Sequence, residues 1–167
     1  MSQTVLITGA SSGIGQATAR LLAERGFTVF GTARKPESTQ SHGVTMLALD
    51  VRLDDSVRTR VEQLIAKAGR LNVLVNNAGY AVTGAAEETS VEEAKAQLET
   101  NFLGAVHMVN AVLPGMRAAG AGKIINISSL AGNTAIPYSA FYRGVAPQHP
   151  PLRPTPARTA YPVCFPS

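Results

Sequence analysis

The sequence predicts an α/β fold built on a doubly wound parallel sheet, and three features of the chain define its class and extent. Short apolar runs alternate with longer segments of helical periodicity, which is the pattern of strand–helix–strand units. A glycine-rich loop over residues 8–15 joins the first apolar run to the first helical segment. Right-handed crossovers through such a series wind a sheet in two directions. A change of composition after Tyr142 then divides the chain into a domain over residues 1–142 and a tail over residues 143–167.

The first predicted elements are a strand over residues 4–7 and a helix over residues 14–24. The strand is the apolar run Thr-Val-Leu-Ile. The helix carries Ala17, Leu21 and Leu22, which we expect to be buried, and it is predicted to be stopped by Gly26.

Two further strands and a second helix follow in the sequence. The strands are predicted over residues 27–31 and 45–49, and Asp54 is predicted to cap the helix, which ends before Gly69. The apolar positions of this helix follow the 3.6-residue period, and they are Val57, Val61, Leu64, Ile65 and Ala68.

The last predicted elements are a strand over residues 71–75, a mostly helical segment over 91–116 and a fifth strand over 123–127. We expect the doubly wound sheet to be truncated after this fifth strand. Parallel sheets are normally bounded by further strands and covered on both faces. The fifth strand is therefore predicted to form an unpaired apolar edge.

Proline dominates the segment that follows Tyr142. Seven of the residues after that position are proline. Proline lacks the amide donor and restricts φ, so neither a helix nor a central strand can run through such a segment. Residues 143–167 are therefore predicted to form a disordered or polyproline-like tail.

Composition and charge exclude several classes of protein. The single cysteine, Cys164, allows no internal disulfide and fits a reducing, cytoplasmic location. The first apolar run is too short for a signal peptide or a membrane span, so we expect no membrane partner. All 11 acidic residues but only 12 of the 15 basic ones lie before residue 143, which leaves the domain with a net charge of +1. Without a basic stripe on the domain, we expect no nucleic acid partner, and the sequence predicts no metal site.

The glycine-rich loop has the sequence context of a phosphate-binding turn. It follows a predicted strand and opens a helix, whose first amides are unpaired and lie at the positive end of the helix dipole. Glycines in such a loop let the backbone approach a pyrophosphate closely. The alternative is a tight strand-to-helix turn without a ligand. The candidate cofactor-binding residues are Thr8, Gly9, Ser11, Ser12, Gly13, Ile14 and Gly15.

Polar residues also follow the third and fourth predicted strands, at the edge where open α/β sheets bind ligands. Asp50 and Val51 end the third strand and are candidates for bordering an adenine, although a strand-end aspartate is also common in plain turns. After the fourth strand comes an Asn-Asn-Ala-Gly turn, which becomes informative in combination with the glycine loop. Its candidate cofactor-binding residues are Asn77, Ala78 and Gly79.

These motifs occur in the order and spacing of the short-chain dehydrogenases/reductases, which residues 1–142 resemble. The resemblance implies a Rossmann-like fold and hydride transfer between a nicotinamide cofactor and a small carbonyl or alcohol substrate. It covers none of the tail. The matching pieces are Thr8 to Gly15, Asp50-Val51, Asn76 to Gly79, Asn101, Ile127-Ser128-Ser129 with Gly132, and Pro137 to Tyr142.

The residues after the second predicted strand indicate which cofactor is preferred. A carboxylate at this position would bind the ribose 2′-hydroxyl of NAD and repel a 2′-phosphate. This chain instead has Thr32-Ala33-Arg34-Lys35. Arg34 and Lys35 suit a 2′-phosphate through charge-assisted hydrogen bonds, so NADP is predicted to be preferred over NAD, with Arg34 as the candidate cofactor-binding residue. The alternative is that Arg34 and Lys35 are solvated loop cations.

The resemblance assigns catalytic roles to three residues. Tyr142 would exchange a proton with the carbonyl or alcohol oxygen, Ser129 would hold that oxygen, and Asn101 would anchor a water of the proton relay. Ser129 is preferred over Ser128 because it lies three residues before Gly132 and thirteen before Tyr142. Taken singly, these residues also fit a core tyrosine, a turn serine and a helix asparagine.

One group required by the family pattern is missing. The resemblance places a lysine one helical turn after Tyr142, where this chain has Ala146 followed by Pro147. The family's later helix, strands and substrate loop have no counterpart in the tail. We therefore expect an oxidoreductase that is impaired or inactive. We also expect that the chain does not form the homo-oligomer typical of the family. The alternative is a non-catalytic dinucleotide-binding or interaction protein, or a defective gene product.

Overall fold

Six strands form one sheet in the computed structural model, which describes residues 2–85, 87–129, 131, 138–139 and 141–142. The strands are Thr4–Ile7 (β1), Thr28–Ala33 (β2), Gln40–Ser41 (β3), Val44–Ala48 (β4), Val73–Asn76 (β5) and Lys123–Asn126 (β6). The α-helices are Gly13–Glu24 (α1), Asp54–Ala68 (α2), Val91–Leu98 (α3) and Gly104–Ala118 (α4), and a π-helical segment, Glu99–Leu103, connects the last two. The predicted tail lies outside the described residues, as do Gly132, Pro137 and Ala146.

The sheet is wound outward from β1 in both directions. Its order is β3-β4-β2-β1-β5-β6. β1 pairs in parallel with β2 on one side and with β5 on the other, and the pairs β2–β4 and β5–β6 are also parallel. The predicted doubly wound sheet is confirmed. Because the winding direction changes at β1, a crevice opens beyond the carboxyl ends of β1 and β5, where such sheets bind ligands.

One strand of the sheet was not predicted. β3 is antiparallel to β4 and is joined to it by a turn in which His42 and Gly43 have φ values of 51° and 76°. A strand of two residues is too short to show alternation in the sequence. The strand predicted as the fifth is therefore the sixth in chain order, and it lies at one edge of the sheet formed by the described residues.

The N-cap of α2 differs from the prediction. Leu53, rather than Asp54, is the N-cap of α2, and Asp54 and Asp55 lie in its first turn, where a carboxylate interacts favourably with the helix dipole. α3 begins at a capping box. Ser90 Oγ accepts from the backbone N–H of Glu93 at 3.2 Å, and Glu93 Oε2 accepts from the backbone N–H of Ser90 at 2.9 Å.

Within the described part of the chain, no helix combines the length and apolarity needed to cross a membrane.

The buried face of α1 was predicted incorrectly. Gly15 and Ala19 are buried and Leu22 packs against the core, whereas Ala17 and Leu21 are exposed. Residues two positions apart on a helix lie on nearly opposite faces. The helix therefore turns its small residues toward the sheet, which lets the glycine loop lie close to the strand ends.

The sheet separates two apolar cores because side chains alternate along each strand. Leu6, Phe30 and Leu74 face the core shared with α2 and α4. Val5 and Ile7 face the smaller core on the side of α1. β1 is consequently buried on both faces, which makes it the fixed reference for the loops at its carboxyl end.

Leucine-to-alanine substitutions should distinguish the core from the exposed face of α1. Leu74 is fully buried, with 0% exposure, whereas Leu21 is 47% exposed. We expect Leu74→Ala to lower the free energy of unfolding by about 2–5 kcal/mol through lost burial and a cavity. Leu21→Ala should change it by less than about 1 kcal/mol. Urea titration followed by circular dichroism measures both, and equal losses would show that the packing of α1 is misassigned.

Candidate functional site

A cleft of about 650 Å³ lies beyond the carboxyl ends of the central strands. It contains both the loop that follows β1 and the turn that follows β5. Except for Thr8, all the cofactor-binding and catalytic residues predicted from the sequence line this cleft. They are Gly9, Ser11, Ser12, Gly13, Ile14, Gly15, Arg34, Asp50, Val51, Asn77, Ala78, Gly79, Asn101, Ser129 and Tyr142.

Thr8 does not line the cleft, but its hydrogen bonds connect the end of β1 to the turn that follows β5. Its side chain is buried, and its Oγ1 accepts hydrogen bonds from the backbone N–H groups of Asn77 and Ala78, each at 2.9 Å. In return, Asn77 Nδ2 donates to the carbonyl oxygens of Thr8, at 2.9 Å, and Gly9, at 3.2 Å. These bonds fix the glycine loop and the Asn-Asn-Ala-Gly turn relative to each other.

Two glycines of the loop are required by close backbone contacts. Gly9 has a φ of 66°, and a Cβ there would lie 2.9 Å from Ala78 Cα. A Cβ on Gly15 would lie 2.3 Å from Asn77 Nδ2 and 2.4 Å from the carbonyl oxygen of Gly9. Real Cβ atoms do not approach other atoms so closely, so both glycines serve the turn itself. The packing of the turn therefore requires both glycines, and the choice between a ligand-binding loop and a turn without a ligand stays open.

The start of α1 offers polar groups to the cleft. Ser12 is the N-cap residue, but its side chain makes no capping hydrogen bond. The first turn of a helix leaves backbone N–H groups without intrahelical partners. Together with the helix dipole, such amides attract an anion such as a phosphate. Gly13 also lines the cleft, and no atom lies within 4 Å of the position that its Cβ would take, so the loop presents open space there.

Asp50 and Arg52 form a close ion pair at the rim of the cleft. Arg52 Nη2 donates to Asp50 Oδ2 at 2.6 Å, and Arg52 Nε donates to Oδ1 at 3.0 Å. The backbone N–H of Arg52 also donates to Oδ1, at 3.0 Å, so Asp50 forms the turn that the alternative interpretation described. The hydrogen bond from Arg52 lowers the pKa of Asp50 below its usual value; burial opposes this shift, and the charge of Arg34 adds to it.

Asn101 is held by the loop that follows β5. Its Nδ2 donates to the carbonyl oxygen of Tyr80 at 2.8 Å, and its Oδ1 accepts from the backbone N–H of Tyr80 at 3.0 Å. Gln97, which is fully buried, donates to the same carbonyl oxygen at 3.1 Å. Asn101 lies in the π-helical segment, a distortion that occurs often at functional sites. The sequence identified Asn101 but gave no indication of the π-helix or of Gln97.

Ser129 and Tyr142 line the same cleft as Asn101. Ser129 Oγ accepts a hydrogen bond from the backbone N–H of Ala131 at 3.2 Å. Tyr142 is partly buried. Ser128 lines the cleft as well, so the preference for Ser129 remains a prediction based on spacing.

Several lining residues were not nominated from the sequence. Most of them are adjacent in sequence to a predicted site residue. The motifs therefore located the cleft but did not identify all the residues that line it. Arg52 is the most consequential, because it follows Asp50-Val51 and returns to pair with Asp50. The unpredicted lining residues are Thr32, Ala33, Leu49, Arg52, Tyr80, Ala81, Thr100, Ile127 and Ser128.

A smaller recess of about 200 Å³ adjoins the cleft between α4 and β6. It shares Ala78, Asn101 and Ile127 with the cleft. Its wall is mainly apolar and includes Phe102 and Val106, both exposed.

Known proteins resemble this chain in both sequence and structure. The family model described as short chain dehydrogenase matches residues 3–144. A 3-ketodihydrosphingosine reductase from Bacteroides thetaiotaomicron is 54% identical over 140 residues, which cover 84% of this chain and 52% of that protein. The chain spans about half the length of the curated relatives it matches.

Two solved structures superpose closely on the described fold. One is a short-chain dehydrogenase from Streptomyces avermitilis, with a TM-score of 0.82 and 34% identity over 87% of this chain and 56% of that one. The other is described as ElxO with NADP bound, with a TM-score of 0.81 and 32% identity over 87% of this chain and 62% of that one.

Glycine-to-alanine substitutions test the close packing of the loop. Gly15→Ala places a methyl group against Asn77 and Gly9, so we expect it to lower the free energy of unfolding by about 1–3 kcal/mol. Gly115→Ala is the matched control in α4, because the nearest atom to its Cβ would be 3.8 Å away. Helix propensity then predicts stabilisation by up to about 1 kcal/mol. Urea denaturation measures both, and an undiminished stability in Gly15→Ala would contradict the described loop.

Proposed function

Since the chain belongs to the short-chain dehydrogenase family of oxidoreductases, we propose that its cleft binds NADP(H) and serves hydride transfer between this cofactor and a small carbonyl or alcohol. The proposal rests on one observation. The glycine loop, the Asn-Asn-Ala-Gly turn and three candidate catalytic side chains, Asn101, Ser129 and Tyr142, line a single cleft.

The residues of the cleft fit a phosphate-bearing dinucleotide. Gly13 faces open space in the cleft, and the amides at the start of α1 suit a pyrophosphate. Asp50 and Val51 would border the adenine. The bound nicotinamide would supply or accept the hydride, and the residues described here would orient it.

We propose NADP rather than NAD because of the charge at the end of β2. That strand ends at Ala33, so β2 itself provides no carboxylate to bind a ribose 2′-hydroxyl. Arg34 follows it and lines the cleft, whereas the neighbouring Lys35 does not belong to the lining; both side chains are exposed. The similar structure described as ElxO with NADP bound supports binding of NADP, and the preference rests on Arg34.

Each of the three candidate catalytic side chains would have a separate role in the reaction. Tyr142 would give a proton to the substrate oxygen or take one from it, and the Ser129 hydroxyl would hold that oxygen. The side-chain amide of Asn101 is already bonded to Tyr80, so it would keep the π-helical segment and the loop after β5 in place beside the substrate. A positioned acid or base of this kind typically contributes a factor of about 10² to 10⁴ to the rate.

We further propose that this 167-residue chain turns over its substrate poorly, because position 146 is alanine where the family pattern has lysine. That position lies outside the described residues. The same observation favours the second candidate function, a protein that binds the dinucleotide without catalysis. The cytoplasmic location and the disrupted homo-oligomer remain predictions.

Cofactor titration tests the proposed preference. We expect NADPH to bind more tightly than NADH, and Arg34→Asp to weaken NADPH binding by roughly tenfold or more through lost charge-assisted bonds and added repulsion. The matched control is Lys35→Asp, which introduces the same charge change at a residue outside the lining and should have a much smaller effect. Fluorescence titration of the purified chain measures all three proteins. Tighter binding of NADH by the unmodified chain would refute the preference.

Turnover distinguishes the two candidate functions. We expect the unmodified chain to bind NADPH but to reduce small ketones, 3-keto compounds among them, at a rate near background. Ala146→Lys alone should not restore activity, because Pro147 prevents a helix from continuing there. A chimera carrying the helix and strands of a family member after Tyr142 should be active, and Tyr142→Phe should then abolish that activity. Substantial NADPH oxidation by the unmodified chain would contradict this account.

A further inference from the structure

The small recess between α4 and β6 adjoins the cleft and has no role in the function proposed so far. We propose that it binds a hydrocarbon part of the substrate and that this part carries a hydroxyl group. The inference deepens the proposed function and rests on it for the identity of the occupant. Two observations lead to it: the wall of the recess is mainly apolar, and one of its residues has a buried amide oxygen without a hydrogen-bond partner.

The apolar wall is formed largely by one face of α4. Ala105, Val106 and Val109 are spaced by three or four residues, which places them side by side on the helix. Phe102 and Ile127 extend this wall. An apolar cavity of about 150 Å³ can hold benzene. A recess of about 200 Å³ therefore has room for a hydrocarbon group of roughly six carbons.

Strand alternation places two asparagines in the same wall. Leu74 and Ile124 are paired residues of β5 and β6, and both belong to the core shared with α2 and α4. Asn76 and Asn126, the next residues on the same face of each strand, therefore point toward α4, and both line the recess. Asn76 Nδ2 donates to Asn126 Oδ1 at 2.9 Å. A polar pair thus interrupts a face that is otherwise apolar.

The side-chain amide of Asn76 retains one unused acceptor. Asn76 is only 7% exposed, and its Oδ1 is buried without a hydrogen-bond partner among the described residues. A buried acceptor without a donor is costly, because it has lost its hydrogen bonds to water and gained none in return. A ligand that brings a donor into the recess would remove this cost.

The unused acceptor and the apolar wall together select the chemical class of the ligand. A carbonyl, ether or carboxylate oxygen has no hydrogen to donate to Asn76. An ammonium group has hydrogens, but burying its charge among apolar side chains is strongly unfavourable. A hydroxyl group donates without carrying a charge. Because the recess and the cleft share Ala78, Asn101 and Ile127, the hydrocarbon group would extend into the recess from a carbonyl bound in the cleft.

A purely structural role of the asparagine pair is the competing explanation. The bond between Asn76 and Asn126 also ties the end of β5 to the end of β6, and this role requires no ligand. It predicts either that alcohols do not bind in the recess or that they bind no better than ethers of the same size.

The test is a titration of the full 167-residue chain, with labelled valine methyl groups, followed by nuclear magnetic resonance. The probe is 1-hexanol. We expect the methyl signals of Val106 and Val109 to shift and to saturate with a dissociation constant on the order of 1 mM. The signals of Val29, which lies in the core on the other side of the sheet, should not change. Methyl pentyl ether has the same numbers of carbon and oxygen atoms but no donor, so it should bind at least about fivefold more weakly.

A matched pair of variants locates the binding site. Val106→Asp places a carboxylate in the apolar wall at an exposed residue, and we expect it to weaken hexanol binding by roughly tenfold or more. Asn110→Asp introduces the same side chain one turn further along α4, at an exposed residue outside the lining, and should leave the binding unchanged. Circular dichroism of both variants verifies that they are folded.

The inference and the proposed function fail in different ways. The absence of saturable shifts at Val106 and Val109, or equal affinities for the alcohol and the ether, would overturn the inference. NADPH is then titrated into the same samples. A chain that binds NADPH but not hexanol would leave the proposed function intact. A chain that binds hexanol in the recess but does not bind NADPH would overturn the proposed function and, with it, the identification of the occupant as substrate.

Discussion

The reciprocal hydrogen bonds between Thr8 and Asn77 are the constraint on which the cleft depends. A buried hydroxyl accepts two backbone amides of the turn after β5, and an amide side chain of that turn reaches back to the carbonyl groups of the glycine loop. Each group would be costly to leave unpaired in the interior. The two loops therefore keep one relative position, and Gly15 has no side chain because Asn77 and Gly9 already occupy the space where a Cβ would lie.

Different interactions dominate the two ends of the cleft: hydrogen bonds between neutral groups at one end and charged groups at the other. Near β5 and α3, neutral amide groups of Gln97 and Asn101 converge on the backbone of Tyr80, so position is fixed by directional hydrogen bonds. Near β2 and β4, charged groups line the cleft, namely Arg34 and the ion pair of Asp50 and Arg52. Hydrogen bonds between neutral groups define shape, whereas charged groups affect which charged ligands bind. The proposed cofactor would span both ends.

The sequence predicted most of the sheet because buried parallel strands appear as continuous apolar runs, as in Val5-Leu6-Ile7. It missed β3, which has two residues, and it assigned the wrong face to α1. The second error placed Ala17 and Leu21 in the core, whereas the helix packs Gly15, Ala19 and Leu22 toward the sheet. The motifs located most of the site residues because these residues follow strands, whereas Asn101, in the π-helical segment, was identified through the family resemblance. Arg52 and Gln97 were missed because their roles depend on contacts with Asp50 and Tyr80 that no periodicity encodes.

The central claim is that the cleft between the glycine loop and the turn after β5 binds NADP(H). Hydrogen–deuterium exchange of the purified chain, with and without NADPH, tests it most directly, because it reports where a ligand acts and requires no turnover. This account predicts slower exchange in residues 9–15 and 76–80 when NADPH is present, with little change along the exposed face of α2. Unchanged exchange in both segments at saturating NADPH would contradict it.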